Sequence, residues 1–183
     1  MLSVVSAPSL AETELAHNLC GISMQTRAWQ PLEGLNLGEV DIQADDVELL
    51  GTQSAEFTGN VDINTVNMSL SAQTALIDKQ RGLLNATGPI VYRDAVSNVN
   101  SSGLNADLNN SEISLLGADY KLTEQQGKGG AEKLTINDSG LVLMNASFTA
   151  CPGETPAWEI EADEINLSRE EGWGETHNAI LRI

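Results

Sequence analysis

The chain has 183 residues and a formal net charge of −17, from nine basic and 26 acidic groups. The length suggests one domain. The shortage of lysine and arginine argues against nucleic acid as a partner and against adsorption to an anionic membrane surface. Hydrophobic residues make up 41% and aromatic residues only 4%, which predicts a core of Leu, Ile, Val and Ala.

Residues 1–38 are predicted to form an N-terminal segment. Ala7 and the small residues at 9–11 resemble the end of a secretory signal, but no basic region precedes them and the apolar part is short. The start is therefore either a truncated signal or an irregular N-terminus. Residues 12–24 have weak helical periodicity, and Pro31 predicts that any helix ends there. We expect a short helix or linker, followed by one domain at 39–183.

From residue 39 onward, apolar and polar residues alternate with the period of half-buried β-strands. The alternation is clearest at 57–63 and 68–72, which predicts an antiparallel hairpin. Further short strands are predicted at 40–44, 76–78, 86–92, 96–99, 104–108, 113–115, 120–122, 134–136, 141–143, 146–149, 158–162, 165–167 and 179–183. Turn-forming residues separate them, and no helical pattern intervenes. The pattern predicts an all-β sandwich, jellyroll or solenoid-like fold.

A weak internal repeat accompanies the strands. Residues 57–63 are echoed by 86–92, which places Gly59 and Gly88 at equivalent positions. Residues 44–49 are echoed by 106–111 and 162–167. Repeats of this kind indicate one hairpin unit stacked several times, because a single hairpin cannot bury its apolar face.

No catalytic, metal or cofactor site is predicted. His17 and His177 lie far apart and have no metal-ligand spacing to each other or to the cysteines. The acidic residues at 45, 46 and 48 lie on a strand-like segment, where a solvated face is expected, and not on a calcium loop. We expect a protein that is not an enzyme and that needs no cofactor.

Cys20 and Cys151 allow three interpretations, since no Cys-x-x-Cys motif is present. They pair with each other, pair with cysteines outside this chain, or remain thiols. A mutual bridge across so long a loop would stabilise the fold by about 5 kcal/mol on the chain-entropy model. Pro152 and Gly153 predict an exposed turn in which the Cys151 thiol is reachable.

Several segments together resemble the periplasmic N-terminal domain of the LptD family of LPS-assembly outer-membrane proteins. Some of their units are shared with the wider LptA/OstA-like family. The resemblance covers about residues 20–183. It rests on residues 44–49, 57–61, 86–88, 145–153, 158–165 and 169–179, among which Cys-Pro-Gly and Glu-Gly-Trp-Gly are the most specific.

The resemblance implies a β-jellyroll of mostly antiparallel strands in the periplasm, at the periplasmic face of the Gram-negative outer membrane. It implies edge-to-edge docking with an LptA-type bridge protein. It also implies a path for lipopolysaccharide acyl chains toward a C-terminal barrel plugged by an LptE-type lipoprotein. In that family two N-terminal-region cysteines pair with cysteines late in the barrel, and Cys20 and Cys151 match them. The barrel is absent, so this sequence looks like the excised domain.

On that basis we predict a lipid-binding inner face and a docking edge. The docking edge comprises Asp41, Ile42, Ala44 and Val47. Because the chain is acidic, we expect the roll to hold acyl chains and to leave sugars and phosphates in water. The candidates for the inner face are Phe57, Val61, Ile63, Met68, Leu70, Ile90, Tyr92, Leu115, Tyr120, Leu122, Leu143, Phe148, Trp158 and Ile160.

Two other functions remain open. The same apolar residues would equally fill an ordinary core, which predicts a docking module that carries no lipid. A carbohydrate-active or adhesin-like β-solenoid would need an acid pair or an aromatic platform. The seven aromatic residues form no regular stripe, so this third reading is the weakest.

Overall fold

The computed structural model describes residue 20 and residues 35–36, 38–123, 127–169 and 174–183, and these form strands, turns and loops without a helix. No described helix is therefore long and apolar enough to cross a membrane. The N-terminal helix predicted at 12–24 lies outside the described residues. The strands are β1 (Asp41–Gln43), β2 (Asp46–Leu50), β3 (Ser54–Asn64), β4 (Met68–Asp78), β5 (Leu83–Asp94), β6 (Ser97–Asp107), β7 (Glu112–Leu122), β8 (Lys128–Asn137), β9 (Gly140–Phe148), β10 (Glu159–Ser168), β11 (Gly174–His177) and β12 (Ile180–Arg182).

All twelve strands belong to one antiparallel sheet. From β3 to β10 each strand pairs with the next. β1 and β2 both pair with β3 at one end, and β11 and β12 both pair with β10 at the other. Within the described part of the chain, the sheet does not close on itself. It is the predicted all-β jellyroll.

Each long strand bends near its middle. In β7 the buried side chains step from Leu115 to Ala118, a spacing of three where a straight strand would require two or four. The same step separates Ala72 from Ala75 in β4. In an unbent strand, a one-residue shift of the alternation would point all the following side chains to the opposite face of the sheet. Because both halves nevertheless bury the same face, the sheet folds over and its inner face encloses the core.

The bends correct the predicted strand list. Residues 113–115 and 120–122 are two halves of β7, and 165–167 continues 158–162 within β10. The strands predicted at 96–99 and 104–108 likewise join as β6, 68–72 joins 76–78 as β4, and 141–143 joins 146–149 as β9. The polar or glycine residues between these halves lie at bends, although their composition is typical of turns.

The bends repeat one polar device, which we call the bend pairs. In each pair, a side chain lies against a residue with positive φ that follows it by 13 to 15 residues in the chain. Asn60 (φ 45°) donates its amide to the Asp45 carboxylate at 2.9 Å. Asn145 donates to Glu132 at 2.6 Å, and Asn178 donates to Asp163 at 2.7 Å. The full set is Asp45–Asn60, Gln73–Gly88, Ser102–Gly117, Glu132–Asn145 and Asp163–Asn178.

The bend pairs explain part of the internal repeat. Asp45 and Asp163 occupy equivalent places in 44–49 and 162–167, whereas Asp107 in 106–111 lies at the β6–β7 turn and accepts from Asn109 and Asn110. The first members of the bend pairs recur every 28 to 31 residues, the spacing of one hairpin. Gly59 and Gly88, predicted to be equivalent, lie at the bends of β3 and β5 with φ of 77° and 97°. Positive φ is accessible to Gly and tolerated by Asn, so both residue types occur at the bends.

Candidate functional site

The predicted lipid-contacting residues all lie on the buried side of the fold or at its margins. Most are buried: Val61, Ile63, Leu70, Ile90, Tyr92, Leu115, Tyr120, Leu122 and Leu143. The others are half-buried: Phe57, Met68, Phe148, Trp158 and Ile160. The structure therefore shows which residues of each strand face inward. The two-residue period groups the residues of a strand but does not say which group is the inner one.

The inner side chains are completely buried in the central strands and become more exposed toward both ends of the sheet. The central strands bury their inner side chains completely, and Leu115, Leu134 and Leu143 are 0% exposed. The half-buried members lie toward the two ends of the sheet, with Phe57 on β3 at one end and Phe148 near Trp158 at the other. The rings of Phe148 and Trp158 are 6.2 Å apart. The apolar face is continuous from end to end and is most accessible at both ends.

Two tyrosines bring hydroxyl groups to the inner face. Tyr120 on β7 reaches across β8 and donates to the Ser147 carbonyl on β9 at 2.6 Å. Gly129 makes this approach possible, because a Cβ there would lie 1.9 Å from the same carbonyl oxygen. Burial raises the pKa of Tyr120, and the charge of Glu159 adds to the rise.

The second tyrosine closes a network at the β5–β6 turn. Tyr92 donates to the Asp94 carboxylate at 3.0 Å, and the Ser97 hydroxyl and backbone N–H donate to its other oxygen. Burial raises the pKa of Tyr92, Asp94 raises it further, and Arg169 opposes the rise. Ser97 is itself 0% exposed, so its polar groups are satisfied inside the fold.

Cys20 and Cys151 form a disulfide, with their Cα atoms 4.9 Å apart. Of the three interpretations left open by the sequence, the structure shows mutual pairing in this chain; the pairing with barrel cysteines implied by the resemblance stays a prediction. The predicted exposure of Cys151 is wrong, since it is 1% exposed. Thr149 holds the loop by accepting the Cys151 N–H and donating to the Trp158 carbonyl.

The predicted docking edge lies on a terminal strand of the sheet. Asp41 and Ile42 lie on β1, Ala44 lies between β1 and β2, and Val47 lies on β2. Ile42 and Ala44 pack against the core, whereas Val47 is 55% exposed. Leu49, 75% exposed, extends the apolar surface of β2. Among the described residues no strand covers the far side of this edge.

The opposite edge was not predicted as a docking surface. β11 and β12 pair with β10 alone, and Ile180 and Leu181 are 57% and 58% exposed. The alternation at 179–183 predicted a strand there, but its terminal place depends on the order of strands in the sheet, which the sequence does not encode locally.

Within the described part of the chain, no three His, Cys, Asp or Glu residues converge as metal ligands. His177 is exposed on β11, and His17 lies outside the described residues. The acids near β2 are exposed; the Asp45 carboxylate accepts from Asn60 at a bend.

Residues 41–173 match the family described as "LptA/(LptD N-terminal domain) LPS transport protein". The chain is 84% identical over 183 residues to the LPS-assembly protein LptD of Pseudoalteromonas translucida (strain TAC 125), covering 100% of this chain and 24% of the relative. It is 33% identical over 170 residues to the LPS-assembly protein LptD of Idiomarina loihiensis, covering 91% and 22%. The chain thus spans about a quarter of the length of these relatives.

Among solved structures, the chain is similar to LptH from Pseudomonas aeruginosa, described as the LptA-homologous periplasmic component of a lipopolysaccharide transport device. That likeness has a TM-score of 0.49 and 18% identity, and it covers 54% of this chain and 76% of the other. The family match covers most of the jellyroll, from β1 to the residues before β11. On this evidence the chain belongs to the LptA/(LptD N-terminal domain) family of LPS transport proteins.

Proposed function

We propose that this chain is a periplasmic domain that accepts lipopolysaccharide from an LptA-type bridge protein. It passes the acyl chains along its inner face toward the C-terminal barrel that the resemblance implies. The proposal follows from family membership and from the names of the relatives, which are LPS-assembly proteins. Contact with an LptE-type lipoprotein is assigned to the part of such proteins beyond this chain.

The observation that carries the proposal is the continuous apolar inner face, half-buried at both ends of the sheet. Each methylene moved from water to such a surface gains about 0.8 kcal/mol. In the described residues the two halves of the sheet pack their side chains together, so acyl chains enter only if the halves separate. The open sheet allows this, because no ladder of hydrogen bonds joins its first strand to its last.

Docking is proposed at the edge formed by β1 and β2. An open edge offers unpaired N–H and C=O groups to another strand. Val47 and Leu49 add exposed apolar side chains to that backbone surface. The exposed acids Asp46 and Glu48 flank Val47 on the same strand and would discourage pairing with unrelated strands.

A second candidate function is a docking module that carries no lipid. Complete burial of Leu115, Leu134 and Leu143 favours it, since these side chains already fill the space that acyl chains would need. The two functions share the docking edge. They differ in whether lipid reaches the inner face.

Site-specific photocrosslinking in cells, in the full-length protein, separates the two candidates. A photoreactive residue replaces Phe57 or Tyr92 on the inner face, and the matched control replaces Asp62. The Asp62 side chain is exposed and accepts from Ser71 at 2.6 Å. Lipopolysaccharide adducts at Phe57 and Tyr92, absent at Asp62, support the conduit. Adducts to protein alone at the inner positions would replace it with the docking module.

The docking edge has its own control in the opposite edge. A photoreactive residue at Val47 is expected to crosslink to the bridge protein, and one at Leu181 is not. Both side chains are exposed to a similar extent, at 55% and 58%, so exposure alone does not predict a difference. Equal crosslinking at both positions would contradict the assignment of β1 and β2 as the docking edge.

A further inference from the structure

Three of the nine basic residues lie in one row across four strands. Arg93 on β5 pairs with Asn98 on β6, Asn98 pairs with Lys121 on β7, and Lys121 pairs with Lys128 on β8. Their side chains lie on the outer face of the sheet, because the neighbouring residues along the strands are buried. The row is therefore a local concentration of positive charge on a strongly acidic chain.

The row lies at the ends of the strands next to the β5–β6 turn, a margin of the sheet that we call the lip. β5 ends one residue after Arg93, and β7 ends one residue after Lys121. On the inner face, Tyr92 and Tyr120 directly precede these two cations and belong to the core. A molecule that emerges from the interior past the β5–β6 turn would meet the basic row first.

Arg93 and Lys121 are available to a ligand. Both are exposed, and neither has an ion-pair partner among the described residues. Other cations are engaged: Arg81 pairs with Asp78, Arg182 pairs with Glu161, and the Lys128 ammonium donates to the Gly153 carbonyl. The Asp94 carboxylate, next to Arg93 in the chain, accepts from Tyr92 and Ser97 and forms no ion pair with the row among the described residues.

Polar side chains continue from the row toward the bend. Along β6, Asn98 is followed on the same face by Asn100 and Ser102, and along β7, Asp119 precedes Lys121. These strands border a depression of about 480 Å³ lined by Gly88, Pro89, Asn100, Ser101, Ser102, Gly117 and Asp119. Amide, hydroxyl and carboxylate groups of this kind hydrogen-bond to sugar hydroxyls.

We infer that this surface, the outer strip formed by Arg93, Asn98, Asn100, Asp119 and Lys121, binds the phosphorylated saccharide of lipopolysaccharide. The inference rests on the proposed function and adds to it a site for the part of the lipid that stays outside the roll. Arg93 supplies a planar fork suited to a phosphate, and Lys121 supplies a second cation. The two strands that carry them are about 10 Å apart, within joint reach of their side chains.

The net charge does not prevent this binding. Exposed charges farther away than about 8 Å are largely screened at physiological ionic strength, whereas a cation in contact with a phosphate is not. Asp119, on the same face as Lys121, is the acid most able to weaken the row, and it also accepts hydrogen bonds from hydroxyls. The strip thus refines the expectation that sugars and phosphates stay in water: they stay outside the roll, against its outer face.

The test uses the whole chain and deacylated lipopolysaccharide, which keeps the sugars and phosphates but has no acyl chains. Binding is measured by calorimetry, with the dephosphorylated saccharide as the second probe. The double variant Arg93→Gln/Lys121→Gln is compared with Lys79→Gln/Lys133→Gln. Lys79 and Lys133 are exposed and lie away from the strip, so the second pair makes the same change in net charge elsewhere.

We expect the saccharide to bind the unaltered chain, to bind about tenfold or more weakly to the strip variant, and to keep its affinity in the control variant. The dephosphorylated saccharide should bind weakly to all three. Equal losses in the two double variants, or no binding to the unaltered chain, would overturn the inference. Neither outcome depends on acyl chains, so the crosslinking at Phe57 still tests the proposed function independently.

Discussion

The bend pairs make a quantitative prediction for Gly88→Ala. Gly88 has φ of 97°, and a Cβ added there would lie 2.5 Å from the Gln73 Cβ on β4. Positive φ costs a non-glycine residue about 1–2 kcal/mol. Forcing a methyl group into a filled space costs about 1–3 kcal/mol more. We therefore expect the free energy of unfolding to fall by about 2–5 kcal/mol, a large part of the about 5–15 kcal/mol typical of a domain.

Gly51→Ala separates the two contributions. Gly51 has φ of 81°, similar to that of Gly88, but nothing lies within 4 Å of its added Cβ. This variant should lose only the conformational part, about 1–2 kcal/mol. The difference between the two variants, measured by urea unfolding followed by circular dichroism, reports the close approach at the bend.

A second comparison removes the Gln73 side chain, which the methyl group of Gly88→Ala would contact. Gln73→Gly deletes the Cβ that the new methyl group would meet, at a cost of about 0.5–1 kcal/mol for a glycine within a strand. In that background Gly88→Ala should cost no more than Gly51→Ala does, which gives a coupling free energy of about 1–3 kcal/mol. If Gly88→Ala and Gly51→Ala destabilise equally in the unaltered chain, the bend does not depend on this contact and the reasoning is refuted.

Two further predictions concern the disulfide and the buried phenols. Cys20→Ser should lower the free energy of unfolding by up to about 5 kcal/mol on the chain-entropy model, because the Cys20–Cys151 bridge spans 131 residues, and unfolding of the reduced unaltered chain should match it. Burial raises the folded-state pKa of Tyr92 and Tyr120, so on raising the pH the unfolded chain loses the phenol protons before the folded chain does. The free energy of unfolding should therefore keep its full value below about pH 10 and fall above it by about 1.4 kcal/mol per pH unit for each phenol. The urea midpoint of unfolding should therefore be lower at pH 11 than at pH 8 in the unaltered chain, and the difference should be smaller in Tyr92→Phe/Tyr120→Phe. The same difference in the two proteins would contradict the assignment.

The sequence predicted most strands because alternation is a local property. It divided β4, β6, β7, β9 and β10 in two because a bend shifts the phase of the alternation by one residue, and a short polar interruption is also typical of a turn. The distinguishing signal was the repeat itself. Residues that recur at hairpin spacing at the centre of strands, such as Gly59 and Gly88, indicate a shared bend more strongly than a series of loops.

The candidate sites also differ in whether they depend on local or on long-range properties of the chain. Residues of the inner face could be grouped by alternation, and the burial of Tyr92 and Tyr120 required only the choice of one face. The mutual disulfide, the second edge and the row of Arg93 and Lys121 depend on which strands are neighbours and in what register. Those are long-range properties, and no window of sequence contains them.

If the proposed function and the saccharide site are correct, strand geometry accounts for contact of one sheet with both ends of an amphipathic lipid. Adjacent residues point to opposite faces, so Tyr92 and Arg93 place an apolar and a cationic group on the two sides of the same strand, as Tyr120 and Lys121 do. Under the proposed function, a lipid cannot cross the sheet, because the strands are joined by hydrogen bonds, and it reaches the outer face only around the margins of the sheet. The last row before the β5–β6 turn lies at one such margin, and Arg93, Lys121 and Lys128 lie in that row.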